Sequence, residues 1–389
     1  MEPHSHLDLL LIFPPYSYGE KNMIEEFEYH LPPQGLLSIA AWVRSRGFSV
    51  RIIDCKIECP SVEQFKEFFI KQYVDKNVDI RYIGISSVTI TIKKAYVIGA
   101  FCKTHYPSSS IVFGGAHPSV LPEEVLEQDY IDIVACGEGE ITMEEILAGK
   151  PLNEINGISY KQHDKDKTTI LSNEPRARIM NLDDLPIPAY DLVPVHKYKP
   201  IEGIYLRLPA LNIITSRGCP NHCTFCSKTL GHKVSVKSPQ KTFDEIRFLM
   251  DEYGIRELVF HDDTFTLNKK NVHALCDLII NSQTEILWTC FARVDTVDEE
   301  LLRKMKKAGC HQIMFGIENF NEDILAKIKK NINPDQIRQA VGWTKKTGMG
   351  CRIAIIIGYP GDTEEIIREN MRKAKHLKPD FIAINIATP

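Results

Sequence analysis

The chain has 389 residues, 43% apolar and 25% charged, with a formal net charge of −4. That length accommodates two or three domains of ~150 residues, and the composition is that of a globular protein with a sizeable core. The near balance of 47 basic and 51 acidic residues gives nucleic-acid binding no support. No apolar run approaches the ~18 residues of a membrane span. The start, Met1-Glu2-Pro3-His4-Ser5-His6, lacks the features of a signal peptide. Eleven cysteines, odd in number and scattered, argue against a secreted disulfide framework. Eight of them (Cys55, Cys59, Cys102, Cys136, Cys276, Cys290, Cys310 and Cys351) sit in strand or helix patterns and read as small buried hydrophobes of a cytoplasmic protein.

Residues 8–149 alternate short apolar runs with helical patterns. Strands are expected at 8–13, 50–54, 80–86, 111–113 and 131–136, and helices at 34–46, 62–73, 92–105 and 123–127. Continuous Val/Ile/Leu runs bounded by turns predict strands buried on both faces, hence a doubly wound parallel sheet. Ligands of such a sheet bind beyond the strand C-termini. Those ends carry Pro14-Pro15, Ser86-Ser87-Val88-Thr89, Gly114-Gly115-Ala116-His117-Pro118 and Gly137-Glu138-Gly139-Glu140, four small and polar turns on one edge. Neither a G-x-G-x-x-G after the first strand nor a G-K-[ST] is present, which excludes the usual phosphate loops.

Residues 151–205 read as a hairpin, with its polar turn at 161–167, followed by a proline-stiffened linker through Asn181-Leu182-Asp183-Asp184-Leu185-Pro186-Ile187-Pro188. A second βα series spans 206–389. Its strands are expected at 211–215, 257–261, 286–291, 312–317, 353–357 and 381–386, and its helices at 242–253, 270–281, 299–308, 321–329 with 334–347, and 363–376. Six βα units with right-handed crossovers predict a partial (β/α)6 barrel whose active edge lies at the strand C-termini.

Just past the first of these strands stands Cys219-Pro220-Asn221-His222-Cys223-Thr224-Phe225-Cys226, three thiols spaced C-x3-C-x2-C. Thiolates so dense are soft ligands for iron–sulfur clusters, zinc or copper(I). Three cysteines leave one iron of a four-iron cluster open. A structural zinc site wants a fourth protein ligand, which His222 could supply, but no second half-motif pairs with this one. The same edge carries Asp262-Asp263, Arg293 with Asp295, Glu318-Asn319, and Gly358-Tyr359-Pro360-Gly361. Singly these could be helix caps or ordinary ion pairs. Together they suit a zwitterionic, ribose-bearing ligand, with its carboxylate on Arg, its amine on Asp and its hydroxyls on Glu.

The second half resembles the radical S-adenosylmethionine (SAM) superfamily. The resemblance rests on the cysteine triad, Phe260-His261-Asp262-Asp263-Thr264-Phe265, Ala292-Arg293-Val294-Asp295, Phe315-Gly316-Ile317-Glu318-Asn319 and Ile357-Gly358-Tyr359-Pro360-Gly361-Asp362-Thr363. The first half resembles the cobalamin-binding domain of B12-dependent members, through Pro32-Pro33-Gln34-Gly35-Leu36, Ile83-Gly84-Ile85-Ser86, Gly114-Gly115-Ala116-His117-Pro118 and Gly137-Glu138-Gly139-Glu140. The D-x-H-x-x-G loop that ligates cobalt in other B12 proteins is absent.

The resemblance implies that Cys219, Cys223 and Cys226 hold a [4Fe-4S] cluster, with SAM on its open iron and against Phe225, Asp262, Arg293, Glu318 and Gly358. It implies cobalamin against Ser86, Ser87, Thr89, Gly114, Gly115, Gly137 and Glu138. The implied activity is reductive cleavage of SAM to a 5′-deoxyadenosyl radical and cobalamin-dependent C-methylation of a small or secondary metabolite. The implied electron donor is a protein such as a flavodoxin or ferredoxin. Radical rearrangement, oxidation or cyclisation is the alternative within the family, and a non-catalytic cluster- or corrin-binding module is the alternative outside it. The chain stops at the sixth strand, which suggests a shortened relative or a fragment lacking a C-terminal region.

Overall fold

The computed structural model describes residues 6–16, 30–164, 167–227 and 229–387. The first five residues of the stretch read for a signal peptide, residues 165–166 of the expected hairpin turn, and Thr388 and Pro389 lie outside the described residues. The chain forms two units: residues 1–179 with 184–198, and residues 180–183 with 199–389.

The first unit is built on strands β1 (His6–Phe13), β2 (Val50–Asp54), β3 (Asp79–Ser86), β4 (Ser110–Gly114), β5 (Ile133–Ala135), β6 (Ile158–Asp164) and β7 (Lys167–Ser172), in the order β2-β1-β3-β4-β5-β6-β7. The first five run parallel, with β1 between β2 and β3 (Leu10 opposite Arg51 and Ile83). Leu9, Leu10, Leu11 and Ile12 are all buried. That explains the unbroken apolar run, since a parallel strand is covered on both faces. The covering helices are α1 (Gln34–Arg44), α2 (Cys55–Glu58), α3 (Val62–Phe69), α4 (Ile92–His105), α5 (Ala116–Val120), α6 (Pro122–Leu126) and α7 (Glu140–Leu147). Expected and observed strands agree to within two residues at each end.

Where the sequence set 151–205 apart, the structure divides it differently. The hairpin β6–β7 extends the first sheet, antiparallel to β5, with Ile133 opposite Tyr160. Residues 184–198 lie along α1 and β2. Arg44 makes a two-pronged bond to Asp191 (2.6 and 2.9 Å), Ala189 N donates to Leu37 O (3.1 Å), and Tyr198 donates to Asp54 (2.6 Å).

The second unit holds β8 (Ala210–Ile213), the short ribbon β9 (Ser216–Arg217) with β10 (Ser235–Val236), then β11 (Glu257–Phe260), β12 (Leu287–Ala292), β13 (Cys310–Glu318), β14 (Gly350–Ile357) and β15 (Phe381–Ile386). Six of these make a parallel sheet in the order β15-β14-β13-β12-β11-β8, the expected partial barrel. Its helices are α8 (Pro239–Tyr253), α9 (Lys269–Asn281), α10 (Glu299–Lys307), α11 (Glu322–Lys327), α12 (Pro334–Lys346) and α13 (Glu364–His376). Ser238, Asn268, Asp298, Asn321, Asn333 and Thr363 each cap one through a side-chain oxygen, a contribution of about 1 kcal/mol apiece.

Alternation sorts the strand residues. Phe260 and Trp288 pack with Phe265 on the helix side (centroids 4.3 to 5.5 Å apart). Asn212, His261 and Phe291 occupy the other face, with His261 stacked 5.5 Å from Phe291. At the lower end, the buried Glu257 carboxylate accepts from Leu206 N, Arg207 N and His311 Nε2 (2.8, 2.8 and 2.7 Å).

Candidate active site

The cysteine loop leaves the C-terminal end of β8. The strand was expected to run to residue 215, yet it ends at Ile213. The reason is Asp262, at the end of β11 and 3% exposed, which accepts from Thr215 N (2.7 Å), Thr215 Oγ1 (2.5 Å) and Ser216 Oγ (2.8 Å). Ser216 and Arg217 then pair with Val236 and Ser235. Gly218, at φ +85°, turns the chain into Cys219, a backbone angle that glycine adopts without penalty.

Polar hydrogens surround the thiols. Asn221 Nδ2 lies 3.2 Å from Cys219 Sγ, Thr264 Oγ1 lies 3.9 Å from the same sulfur, and Arg293 Nη1 lies 3.9 Å from Cys223 Sγ. Cys223 is buried, Cys219 half-buried and Cys226 exposed. Burial pushes the Cys226 thiol up, and the charges of Asp263, Cys223 and Cys219 push the same way. Among the described residues, no three His, Cys, Asp or Glu side chains already close into a metal-ligand set.

The far side of the loop is tied to the later strands. Thr224 N donates to Ile328 O (3.0 Å), and the Thr224 hydroxyl bonds the Tyr359 hydroxyl beside Gly358. Arg293 is 5% exposed. It holds Asp295 through two bonds (2.9 Å each) and donates to Lys330 O (2.7 Å). Burial works against its charge, but Asp295 outweighs that and holds its pKa above the ordinary value. Lys330 Nζ pairs with Glu318 (2.8 Å), both nearly buried, and lies 5.8 Å over the Phe225 ring. A bulge in β13 puts Glu318 at φ +68° and swings its carboxylate over Gly316, where a Cβ would come within 2.5 Å of Glu318 Oε1. Gly358 is exposed, at φ +80°.

The structure therefore brings Cys219, Cys223, Cys226, Phe225, Arg293 and Glu318 around one loop, with Gly358 one residue from its Tyr359 contact. Asp262 lies against the same loop with its carboxylate already occupied. Lys330 was not foreseen, and Asn221, Thr224 and Tyr359 stand inside the motifs singled out above without the contacts that the structure gives them. Lys330 follows Lys329 and reads in sequence as part of a solvated charged run, with nothing to mark its burial.

In the first unit the expected turns do share one edge. Ser87 N donates to Gly114 O (2.9 Å), His117 N to Ser87 O (3.3 Å) and Gly137 N to Ser119 Oγ (3.0 Å). Gly115 sits at φ +95°, and a Cβ there would meet Ser87 O at 2.6 Å and Ser86 Oγ at 2.9 Å. Ser87 is 1% exposed, and its Oγ has no hydrogen-bond partner. Thr89 Oγ1 is 3.2 Å from His117 Nδ1. The Glu138 carboxylate is engaged by Ile179 N (2.8 Å) and lies 3.7 Å from Arg178 Nε.

Two family models match the chain: the radical SAM superfamily over residues 213–374, and the B12 binding domain over residues 21–147. An uncharacterized methyltransferase of Pyrococcus horikoshii is 35% identical over 390 residues, covering 98% of this chain and 81% of its own. The anaerobic magnesium-protoporphyrin IX monomethyl ester cyclase of Rubrivivax gelatinosus is 26% identical over 395 residues, covering 98% and 68%. Among solved structures, the radical SAM methyltransferase TsrM of Kitasatospora setae, with cobalamin and a [4Fe-4S] cluster bound, superposes with a TM-score of 0.76. It is 16% identical and covers 98% of this chain and 72% of its own.

The chain belongs to the radical SAM superfamily, in the branch that carries an N-terminal B12-binding domain. It is a radical SAM enzyme whose cofactors are a [4Fe-4S] cluster, SAM and cobalamin. The residues present fit these groups. A loop of three thiols with amide and guanidinium hydrogens directed at the sulfurs suits a thiolate-bound cluster. A buried hydroxyl lacking a partner, beside a glycine that no side chain can replace without collision, suits a ligand inserted at the edge of the first sheet. No helix of the described chain is long and apolar enough to cross a membrane.

Proposed function

We propose that this protein is a cobalamin-dependent methyltransferase that places a methyl group on a carbon of a small molecule. The observation that carries the reading is a conjunction within one chain. A clamped cysteine loop stands at the C-terminal edge of one parallel sheet, and the buried, unsatisfied Ser87 hydroxyl stands beside Gly115 at the edge of another. When bound, the cluster and SAM supply one-electron chemistry on an unactivated C–H bond, and cobalamin supplies the methyl group.

The protein's own residues bind, orient and insulate. Cys219, Cys223 and Cys226 hold the cluster, and Arg293 puts a positive charge beside Cys223. Phe225, Glu318 and Gly358 line the SAM side of the loop, with Lys330 neutralising Glu318. Ser86, Ser87, Thr89, Gly114, Gly115 and Gly137 form the cobalamin edge, and Glu138 holds the segment 178–179 behind it. The electron donor is a small redox protein such as a flavodoxin or ferredoxin. Eleven cysteines without a disulfide support a cytoplasmic setting.

Anaerobically reconstituted, dithionite-reduced protein should convert SAM to 5′-deoxyadenosine, and its product should exceed the substrate by one CH2. No 5′-deoxyadenosine would point to a non-catalytic module. A product of altered hydrogen count with no added carbon would favour ring closure or oxidation, the reading that the cyclase relative keeps open. Cys223→Ala should abolish the visible absorbance of the cluster, and full iron retention in that variant would refute the ligand assignment.

A further inference from the structure

The sequence presents Asp262 and Asp263 as equivalent neighbours, but the structure separates them. Asp262 is buried, and both its oxygens are engaged. Oδ1 accepts from Thr215 N, and Oδ2 from the Thr215 and Ser216 hydroxyls. A carboxylate offers about four lone-pair sites; three are taken within the protein and the group is 3% exposed, so little capacity is left for the ammonium of a ligand. Asp263 is exposed, with no hydrogen-bond or ion-pair partner for its side chain among the described residues, and its charge is felt at Cys226 and His261.

Thr215 and Ser216 form the stalk from which the cysteine loop springs. Their other side is held by Lys237 N donating to Thr215 O (2.8 Å) and by the pairing of Ser216 with Val236. Two residues beyond Arg217 comes Cys219. Displacing the stalk therefore displaces the first ligand directly, whereas the third ligand, Cys226, is exposed and seven residues further on.

We propose that Asp262 is a positioning residue that fixes Thr215 and Ser216 so that the cysteine loop is set for its cluster before SAM arrives. It makes no contact with SAM. This rests on the cluster reading above. It replaces the expected Asp262–SAM contact with a hydrogen-bonded anchor between two adjacent strand ends.

The test compares reconstituted wild type with Asp262→Ala, Asp262→Asn and Thr215→Val, in each case without SAM. The rate of cluster loss to EDTA is followed by iron content and visible absorbance. The unfolding of each apo-protein is measured alongside, and the change in the reduced cluster's EPR spectrum on adding SAM is recorded. Losing a supporting partner of a metal ligand costs 10–100-fold in affinity, so Asp262→Ala should lose its cluster at least about tenfold faster. Thr215→Val should move in the same direction by less. Asp262→Asn should recover most of the retention, because one oxygen still accepts Thr215 N and the two hydroxyls can turn to accept from its amide. The SAM-induced spectral change, per cluster, should persist in Asn.

Wild-type retention in Asp262→Ala would overturn the proposal. So would an Asn variant that keeps its cluster but loses the SAM-induced change, which would make Asp262 a ligand of SAM. If Asp262→Ala does not fold, Thr215→Val decides, and wild-type retention there overturns the anchor. A wild type that takes up no iron under any condition would instead sink the cluster reading, and the anchor with it.

Discussion

At the scale of single residues, two buried charges make opposite kinds of prediction. Arg293 satisfies Asp295, Lys330 O and the Cys223 sulfur together. Arg293→Met leaves a buried carbonyl and a half-buried carboxylate unpaired, so apo-protein stability should drop by about 2–3 kcal/mol in urea titrations. Arg293→Lys should not restore it, because an ammonium cannot span the two-pronged bond to Asp295. Asp54 is the reverse case. Burial lifts its carboxyl to about 6, against hydrogen bonds from Tyr198 and Lys56 N that pull it down. The unfolded value is about 3.9, so between pH 4 and pH 6 the folded chain keeps a proton that the unfolded chain has lost. Its contribution is therefore most favourable below pH 4 and is lost as pH rises through 6. Asp54→Asn removes that dependence and still caps α2. The stability of the variant relative to wild type should climb by about 2 kcal/mol from pH 4 to pH 7. A constant difference across that range would refute the account.

Among elements, the edge of the first sheet depends on a close backbone approach at Gly115. An alanine there combines a left-handed φ with a 2.6 Å collision on Ser87 O. Gly115→Ala should cost about 1–3 kcal/mol and yield protein that loses cobalamin on desalting where wild type keeps it; retention at wild-type stoichiometry would remove Gly115 from the cobalamin edge. The two sheets themselves were legible in the sequence because each parallel strand is a short apolar run buried on both faces and punctuated by a capping residue. Hairpin β6–β7 was legible as a hairpin but not as part of the first sheet, since its partner β5 is a non-local choice that local patterning does not encode. The same holds within the site. The cysteine spacing is local and was readable. The occupation of Asp262 by Thr215 and Ser216, the burial of Lys330 on Glu318, and the Thr224–Tyr359 contact join residues distant in sequence, and no periodicity announces them.

For the whole molecule, two units with separate sheets and cores imply two separable ligand linkages. A ligand at 100 times its dissociation constant adds about 2.7 kcal/mol to the unit that binds it. Cobalamin should raise the melting of residues 1–179 with 184–198, and the cluster that of the remainder. Hydrogen exchange resolved by peptide would check this. Removal of iron should leave protection at Leu10 and Ile83 unchanged while lowering it at Ile213 and Phe260. Equal loss in both sheets would show that the units unfold as one.

The clamp on the cysteine loop also has a consequence in time. Cys226 leaves the ribosome more than a hundred residues before Lys330, and the groups that steady the loop (Asp262, Arg293 and Lys330) arrive in succession after it. At about 5–20 residues per second, the three thiols spend roughly 5–20 s of synthesis without their full support. A cluster loaded before Lys330 is made would rest on a loop without that support, and oxidation of the three thiols in that interval is the hazard that anaerobic assembly would avert.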